Sequence, residues 1–215
     1  MATLVLSLHS ETPELRKINR VVEELRKGAV ILYPTDTGFT LGCELANKVA
    51  INRIRAIRKL PENKNMTFLC NSLANISEFA RVDNLAYRTI KRLIPGPYTF
   101  VLPATKTVPK YAQDPKRNTA GIRVPDNVLS QLLLKTLGSP LISITAKSPD
   151  GLYISDVDKL LKIFTPLVDV AVYSDEYNFV GESTVIDMTT DEFFITRHGA
   201  GITKVLEFVE MEEEI

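Results

Sequence analysis

Ala29-Val30-Ile31-Leu32-Tyr33-Pro34-Thr35-Asp36-Thr37-Gly38-Phe39-Thr40-Leu41-Gly42 is the stretch on which the reading of the fold turns. Its first five residues have the length and β-branched content of a buried strand, and Asn47 to Arg58 downstream carries helical spacing. The segment Pro34 to Gly42 therefore leaves the end of a sheet. In an open α/β sheet, ligands gather at strand ends, where loops converge and backbone N–H groups remain available. Thr35, Thr37 and the glycines can equally do no more than shape a turn.

Working outward, Thr3 to Ser7 reads as an opening strand. A first helix follows, with Thr12 as N-cap, Pro13 at its first position, an apolar stripe of Leu15, Ile18, Val21, Val22 and Leu25, and Gly28 as terminator. Strand 29–33, the hydroxyl-rich loop, a helix over 48–58 and a strand over 66–70 form an expected βαβ unit. A helix over 84–94 stops at Pro95-Gly96-Pro97, and strands follow at 98–102 and 120–124. The spacing then predicts a helix over 129–137 ended by Gly138, a strand over 141–145, a helix over 157–164, and strands at 168–173, 184–188 and 193–196. No internal repeat or low-complexity linker interrupts this order, so residues 1–207 read as one mixed α/β domain and residues 208–215 as an acidic C-terminal tail.

The chain has 215 residues, 45% of them hydrophobic, with mean hydropathy near zero, which fits neither a disordered nor a membrane protein. No apolar run approaches the roughly 18–20 residues of a transmembrane helix, and the N-terminus lacks a signal-peptide pattern, so a cytoplasmic location is expected. Cys43 and Cys70 have no CxxC spacing and read as reduced thiols in apolar niches; with only His9 and His198 besides, no structural metal site is expected. Net charge is zero, yet residues 47–123 hold 15 Lys and Arg against 4 Asp and Glu. Such a basic middle attracts anions, and both nucleotide binding and nucleic-acid binding would produce it. The bland alternative for any single cation, such as Arg88, Lys91 or Arg92, is the wet face of a helix.

There is no Walker A sequence, no GxGxxG after a strand, no GxSxG and no HExxH. Four clusters remain: the loop Thr35 to Gly42, the helix end Arg58-Lys59-Leu60-Pro61, the strand Gly121-Ile122-Arg123-Val124-Pro125, and Ser143-Ile144-Thr145-Ala146-Lys147. Hydroxyls and glycine N–H groups bind phosphate or carboxylate oxygens, and guanidinium groups clamp them with two bonds. A buried arginine on an apolar strand is costly unless paired, so Arg123 is either tied to an internal carboxylate or kept for an anionic ligand. Tyr177, Phe179 and Val180 form an apolar cluster that reads as a loop packed on the core or as a lid.

The order and spacing of six pieces resemble the YrdC/YciO family of threonylcarbamoyl-AMP synthase-like proteins over about the whole chain. They are Tyr33-Pro34-Thr35-Asp36-Thr37 with Gly38 and Leu41-Gly42, then Arg58-Lys59-Leu60-Pro61, Pro95-Gly96-Pro97-Tyr98-Thr99-Phe100, Gly121-Ile122-Arg123-Val124-Pro125, Ser143-Ile144-Thr145-Ala146, and Ser183-Thr184-Val185-Ile186-Asp187. The resemblance implies a single twisted mixed sheet with flanking helices and a concave basic cavity. It implies a nucleotidyl transfer in which ATP with magnesium, L-threonine and bicarbonate give threonylcarbamoyl-AMP and pyrophosphate, toward a modified adenosine in tRNA, and it implies no metal-ligating side chains. Carried over by position, Arg58, Lys59 and Arg123 are the implied catalytic cations, Thr35, Arg123 and Ser183 hold the amino acid, and Arg58, Thr99, Ser143, Thr145, Lys147 and Arg197 lie near the nucleotide.

The chain also departs from the synthases. Where they carry Lys-x-Arg, the second cation is Leu60; a histidine some of them place in the next strand falls at Leu69 by ungapped counting or at Cys70 with one inserted residue; and the asparagine of their Ser-x-Asn is Lys147. An ammonium reproduces neither a guanidinium fork nor an amide's donor and acceptor pair. The pattern is closer to the YciO-like branch. A second class of function, a double-stranded RNA-, tRNA- or ribosome-binding protein using the basic face with little catalysis, is carried beside the enzyme reading.

Overall fold

In the computed structural model, which describes residues 2–61, 64–114, 116–148 and 150–213, with side chains through 207, ten strands form one mixed sheet. In chain order the elements are β1 (Leu4–Leu8), α1 (Leu15–Arg26), β2 (Ile31–Thr35), β3 (Gly38–Glu44), α2 (Lys48–Ile57), β4 (Thr67–Leu69), α3 (Leu73–Phe79), α4 (Asn84–Leu93) and β5 (Tyr98–Pro103). They continue with β6 (Thr119–Arg123), α5 (Val128–Leu137), β7 (Leu141–Thr145), α6 (Val157–Phe164), β8 (Val170–Ser174), β9 (Thr184–Asp187), β10 (Phe194–Arg197) and α7 (Ile202–Glu213). The sheet runs β1-β8-β2-β3-β7-β4-β6-β5-β9-β10.

The opening motif corrects the expected βαβ unit. Thr35, Asp36, Thr37 and Gly38 make a tight turn, and Gly38 to Glu44 returns as a strand antiparallel to β2, pairing Thr35 with Gly38 and Ile31 with Gly42. The run Phe39-Thr40-Leu41-Gly42-Cys43 is buried, so it pairs in the sheet instead of looping over it. Gly38 has φ +125°, a conformation that favours glycine, and it ends the turn. The first helix is corrected too. It starts at Leu15 after Glu14, because the Thr12 backbone N–H donates to the His9 ring 3.2 Å away, leaving Thr12 and Pro13 outside. Leu15 is exposed, while Ile18, Val21, Val22 and Leu25 are buried. Helix α3 and the C-terminal α7 were not anticipated; the side chains of the acidic segment 208–215 lie outside the described residues.

Strand alternation builds two cores on opposite faces of the sheet. On one face Ile31, Tyr33, Val170, Val172 and Leu141 meet Ile18, Val21, Val22 and Leu25 of α1 and Leu129, Leu133, Leu134 and Leu137 of α5. On the other, Leu32, Leu41, Phe68, Phe100, Leu102, Ile122, Ile142, Ala171 and Ile186 meet residues of α2, α3, α4 and α6. Cys43 and Cys70 are free buried thiols, and burial pushes the Cys43 thiol up to about 12. Among the described residues no helix is long and apolar enough to cross a membrane.

The face packed on α1 and α5 is not covered along its whole width. Side chains that share it farther along the sheet are mostly small or polar, Thr40, Ser143, Thr67, Gly121, Thr99 and Ser183, with Val101 and Val185 among them. The registers Gly42↔Ser143, Thr67↔Ser143, Thr67↔Gly121 and Val101↔Gly121 set Ser143, Thr67 and Gly121 in one row between Gly42 and Val101, across five strands. That open stretch is the floor of the principal cavity.

Candidate functional site

The cavity holds about 280 Å³ and is lined by residues of β3, β4, β5, β6, β7, β9 and β10, with Lys64 and Asn65 at its edge. Its shape follows from sequence. Gly121 projects no side chain, and a Cβ there would meet Thr99 Cγ2 at 3.5 Å, so the floor is lowest at the centre. Arg123 and Arg197 supply guanidinium groups and Lys64 an ammonium, while hydroxyls come from Thr37, Thr40, Thr67, Thr99, Thr119, Ser143, Thr145 and Ser183.

Arg123 answers the choice left open above. Its Nη2 pairs with Asp36 Oδ1, its Nη1 donates to Thr37 Oγ1, and its Nε donates to the Gly96 carbonyl 3.3 Å away. The arginine is thus tied to an internal carboxylate, and it also lines the cavity. These bonds use three of its five N–H groups. Burial pulls the guanidinium below its ordinary value, opposed chiefly by the Asp36 charge and hydrogen bond; an arginine so paired stays protonated. Oδ2 of Asp36 is buried with no hydrogen-bond partner among the described residues.

The turn that carries Asp36 is braced from several sides. Thr35 Oγ1 donates to the Gly38 carbonyl at 2.9 Å and receives the Thr37 N–H at 3.3 Å. Tyr153 donates to the Thr37 carbonyl, 3.2 Å away, and the Val180 N–H donates to the Asp36 carbonyl at 2.8 Å. Tyr177 and Phe179 stack on each other with centroids 5.3 Å apart and pack on Phe39, which makes segment 175–182 a strap seated on the core; Val180 stays exposed.

The other implied residues separate into two groups. Thr99 and Ser183 meet through their hydroxyls at 2.9 Å, Ser143 bonds the Tyr33 hydroxyl at 2.8 Å, and Thr145 and Arg197 also line the cavity. Arg197 donates from Nε to the Ser183 carbonyl and from Nη2 to Ser183 Oγ, at 2.9 and 2.8 Å. Lys147 is not part of the cavity lining; it pairs with Glu182, Nζ to Oε1 at 2.7 Å. Thr35, Arg58 and Lys59 are not brought to the cavity wall. Thr35 is spent on the turn. Arg58 is buried with its guanidinium on the carbonyls of Thr145, Lys147 and Ser148, at 2.9, 2.6 and 3.2 Å, so it shapes the loop after β7 from behind. Lys59 is exposed, with φ +50°, just past α2.

Sequence reasoning assigned no role to Asp36 and Gly121, although both fall in its clusters, and missed Lys64, Asn65, Thr67, Thr119 and Glu182; of all these, Asp36 and Glu182 lie outside the cavity lining. The signal for three of them was present: Thr67, Thr119 and Gly121, like Arg123, alternate with apolar residues on their strands, as one polar face requires. Gly199 contributes indirectly. A Cβ there would lie 2.3 Å from the Glu182 carbonyl oxygen, so its absence lets Ala200 bond Glu182 at 2.7 Å and seat Ser183 beside Arg197.

Residues 23–199 match the Sua5/YciO/YrdC family profile, described as telomere recombination. The chain belongs to the Sua5/YciO/YrdC family. It is similar to the uncharacterized protein YciO of Escherichia coli, with 40% identity over 200 residues covering 92% of this chain and 96% of that one. The E. coli YciO crystal structure superposes with a TM-score of 0.84, at 39% identity over the same shares. A threonylcarbamoyl-AMP synthase of Vibrio vulnificus is 33% identical over 132 residues, which covers 60% of this chain and 70% of the synthase. The fold is also that of Pyrococcus abyssi Sua5 complexed with L-threonine, with a TM-score of 0.82 and 24% identity over 92% of this chain and 58% of that one. The single sheet with flanking helices is thus the family architecture, as the sequence motifs implied.

Proposed function

We propose that the cavity binds ATP and a small amino acid, L-threonine first among them, and transfers the adenylyl group to the N-carboxylated amino acid. The observation that carries this reading is the row of hydroxyls and glycine across Ser143, Thr67 and Gly121, flanked by Arg123, Arg197 and Lys64, on a sheet face left open. Hydroxyls bind carboxylate and phosphate oxygens without demanding charge neutralisation, and the flanking cations supply it. The similarity to a synthase and to a Sua5 complexed with L-threonine supports the same substrate class.

In this reaction the amino group and bicarbonate combine to a carbamate with loss of water. A carbamate oxygen attacks the α-phosphorus of ATP, the bond from that phosphorus to the bridging oxygen breaks, and pyrophosphate leaves with the electron pair. No general base is needed once the carbamate exists. The protein's work is positioning and charge stabilisation. Ser183 and Thr99 hold the amino acid, Arg197 and Lys147 face the departing phosphates, and the Asp36–Arg123 pair fixes the turn that closes one end. Among the described residues no group of three or more His, Cys, Asp or Glu side chains could hold a metal ion; magnesium brought in with ATP would supply further charge to the phosphates beside Arg197.

The charge distribution favours this reading over an RNA-binding one. Much of the basic excess is internally spent: Arg53 on Asp169, Arg55 on the carbonyls of Pro61 and Lys64, Arg58 on three carbonyls, Arg117 on Asp187 and Arg123 on Asp36. The test is pyrophosphate release from MgATP and bicarbonate with and without L-threonine. Threonine-dependent release that Ser183→Ala reduces at least tenfold supports the proposal. No release with any amino acid overturns it and leaves binding of RNA, measured by its salt dependence, as the successor.

A further inference from the structure

Arg197 lines the cavity, and Glu182 ties it to Lys147, which stands outside that lining. Glu182 Oε1 lies 2.7 Å from Lys147 Nζ and 3.6 Å from Arg197 Nη1. Burial raises the Glu182 carboxyl, but the hydrogen bond from Lys147 and the charges of Lys147, Arg197 and Lys64 outweigh it and hold it below its ordinary value. The backbone that carries it is anchored: the Glu182 carbonyl accepts the Ala200 N–H at 2.7 Å, and its chain neighbour Ser183 accepts two hydrogen bonds from Arg197. The arrangement places one internal anion between two cations beside a polar cavity.

We propose that Glu182 is a specificity-determining residue, a built-in competitor that a ligand's phosphates must displace from Lys147 and Arg197. This rests on the reading that the cavity takes a polyphosphate, and it adds who opposes that ligand. While Glu182 holds both cations, a weakly charged anion gains little by replacing one carboxylate with another; a polyphosphate offers several charged oxygens to the same donors and can engage both. The pair is only partly buried, with side-chain exposures of 23% for Lys147 and 35% for Glu182, so exchange needs no unfolding of the core. Each partly exposed contact is worth about 1 kcal/mol or less, which sets the scale of the effect at about fivefold per contact.

The experiment is calorimetric titration of the full chain with inorganic tripolyphosphate at low salt. Glu182→Gln, which keeps the shape and removes the charge, is expected to tighten binding about five- to tenfold, and high salt should narrow the gap. Glu23→Gln on α1 controls for loss of a negative charge elsewhere and should change affinity less than about twofold. In a Lys147→Met background the Glu182→Gln gain should shrink, since one of its two cations is gone. Unchanged or weaker binding by Glu182→Gln overturns the proposal, as does failure of both wild type and variant to bind tripolyphosphate, or a gain undiminished by Lys147→Met. The probe carries no adenosine and undergoes no reaction. Tightening by Glu182→Gln in a protein that releases no pyrophosphate from ATP would keep this inference while the adenylyl-transfer reading fell.

Discussion

Two halves of one sheet face, built from neighbouring strands, have opposite fates. Toward β1, β8 and β2 the face carries Leu8, Val170, Val172, Ile31 and Tyr33, and α1 and α5 lie on it. Beyond β7 the same face carries Thr67, Gly121, Thr99 and Ser183, broken only by Val101 and Val185, and it forms the cavity floor. The difference lies in what each surface gains by being covered. Burying an aliphatic side chain stabilises by about 1.5–3 kcal/mol, whereas burying a hydroxyl without a partner costs roughly 1–3 kcal/mol. A helix has reason to settle on the first half and none on the second, which leaves the second for a polar ligand. Tyr33 and Ser143 mark the border, joined hydroxyl to hydroxyl at 2.8 Å.

The largest effect is expected at the seam that closes the open half. Asp36→Ala strands the buried Arg123 charge and should cost about 3–5 kcal/mol in urea unfolding, while a double variant that also carries Arg123→Met should recover part of the loss. Recovery of nothing would mean the turn itself, not the charge, is at stake. Next comes the covered half. Leu133, fully buried on α5, becomes a cavity in Leu133→Ala, which should lose about 2–5 kcal/mol of stability yet leave ATP affinity unchanged in the protein that remains folded. The open half should invert that result. Gly121→Leu fills the cavity floor, where a Cβ makes ordinary contacts at 3.5 and 3.9 Å; unfolding midpoints should move little and ATP binding should be lost, as read by calorimetry. If Gly121→Leu binds normally, the cavity is not the ligand site.

The smallest effect concerns acid. Burial raises the Asp187 carboxyl, but hydrogen bonds from Thr189 and Arg117 outweigh it and hold its value below the ordinary carboxylate range. A depressed value in the folded state means the contribution is present above the unfolded value near 4 and is lost as pH falls through the folded one. Unfolding midpoints measured from neutral pH downward should drop below about pH 4, and Asp187→Asn should flatten that part of the curve. An unflattened curve would assign the acid loss to other carboxylates.

Much of this was legible before any coordinates. The strand at 141–145 and the helix at 157–164 fall where periodicity placed them, because Leu141-Ile142 and Leu160-Leu161 are bounded by clear turn and cap residues such as Gly138 and Asp156. The hairpin at Thr35–Gly38 was not, because its turn residues also suit a ligand loop, and only pairing with β2 and β7 shows that Phe39 to Cys43 is a strand. The site was half legible. Thr99, Arg123, Ser143, Thr145, Ser183 and Arg197 come together as their motifs implied, whereas Arg58 looked like a phosphate clamp because a cation at a helix end reads the same whether it faces a ligand or three carbonyls. Glu182 could not be found from sequence, since its meaning depends on Lys147 and Arg197 arriving from two other elements.

The most direct test of the account is a crystal structure of the protein grown with ATP, magnesium and L-threonine. The account predicts nucleotide and amino acid over the row Ser143, Thr67 and Gly121, with the amino acid against Ser183 and Thr99 and the phosphates at Arg197 and Lys147. Ligand seated instead in the groove of Asn71, Ser72, Gln131, Leu132 and Lys135, on the side of α5, would contradict it.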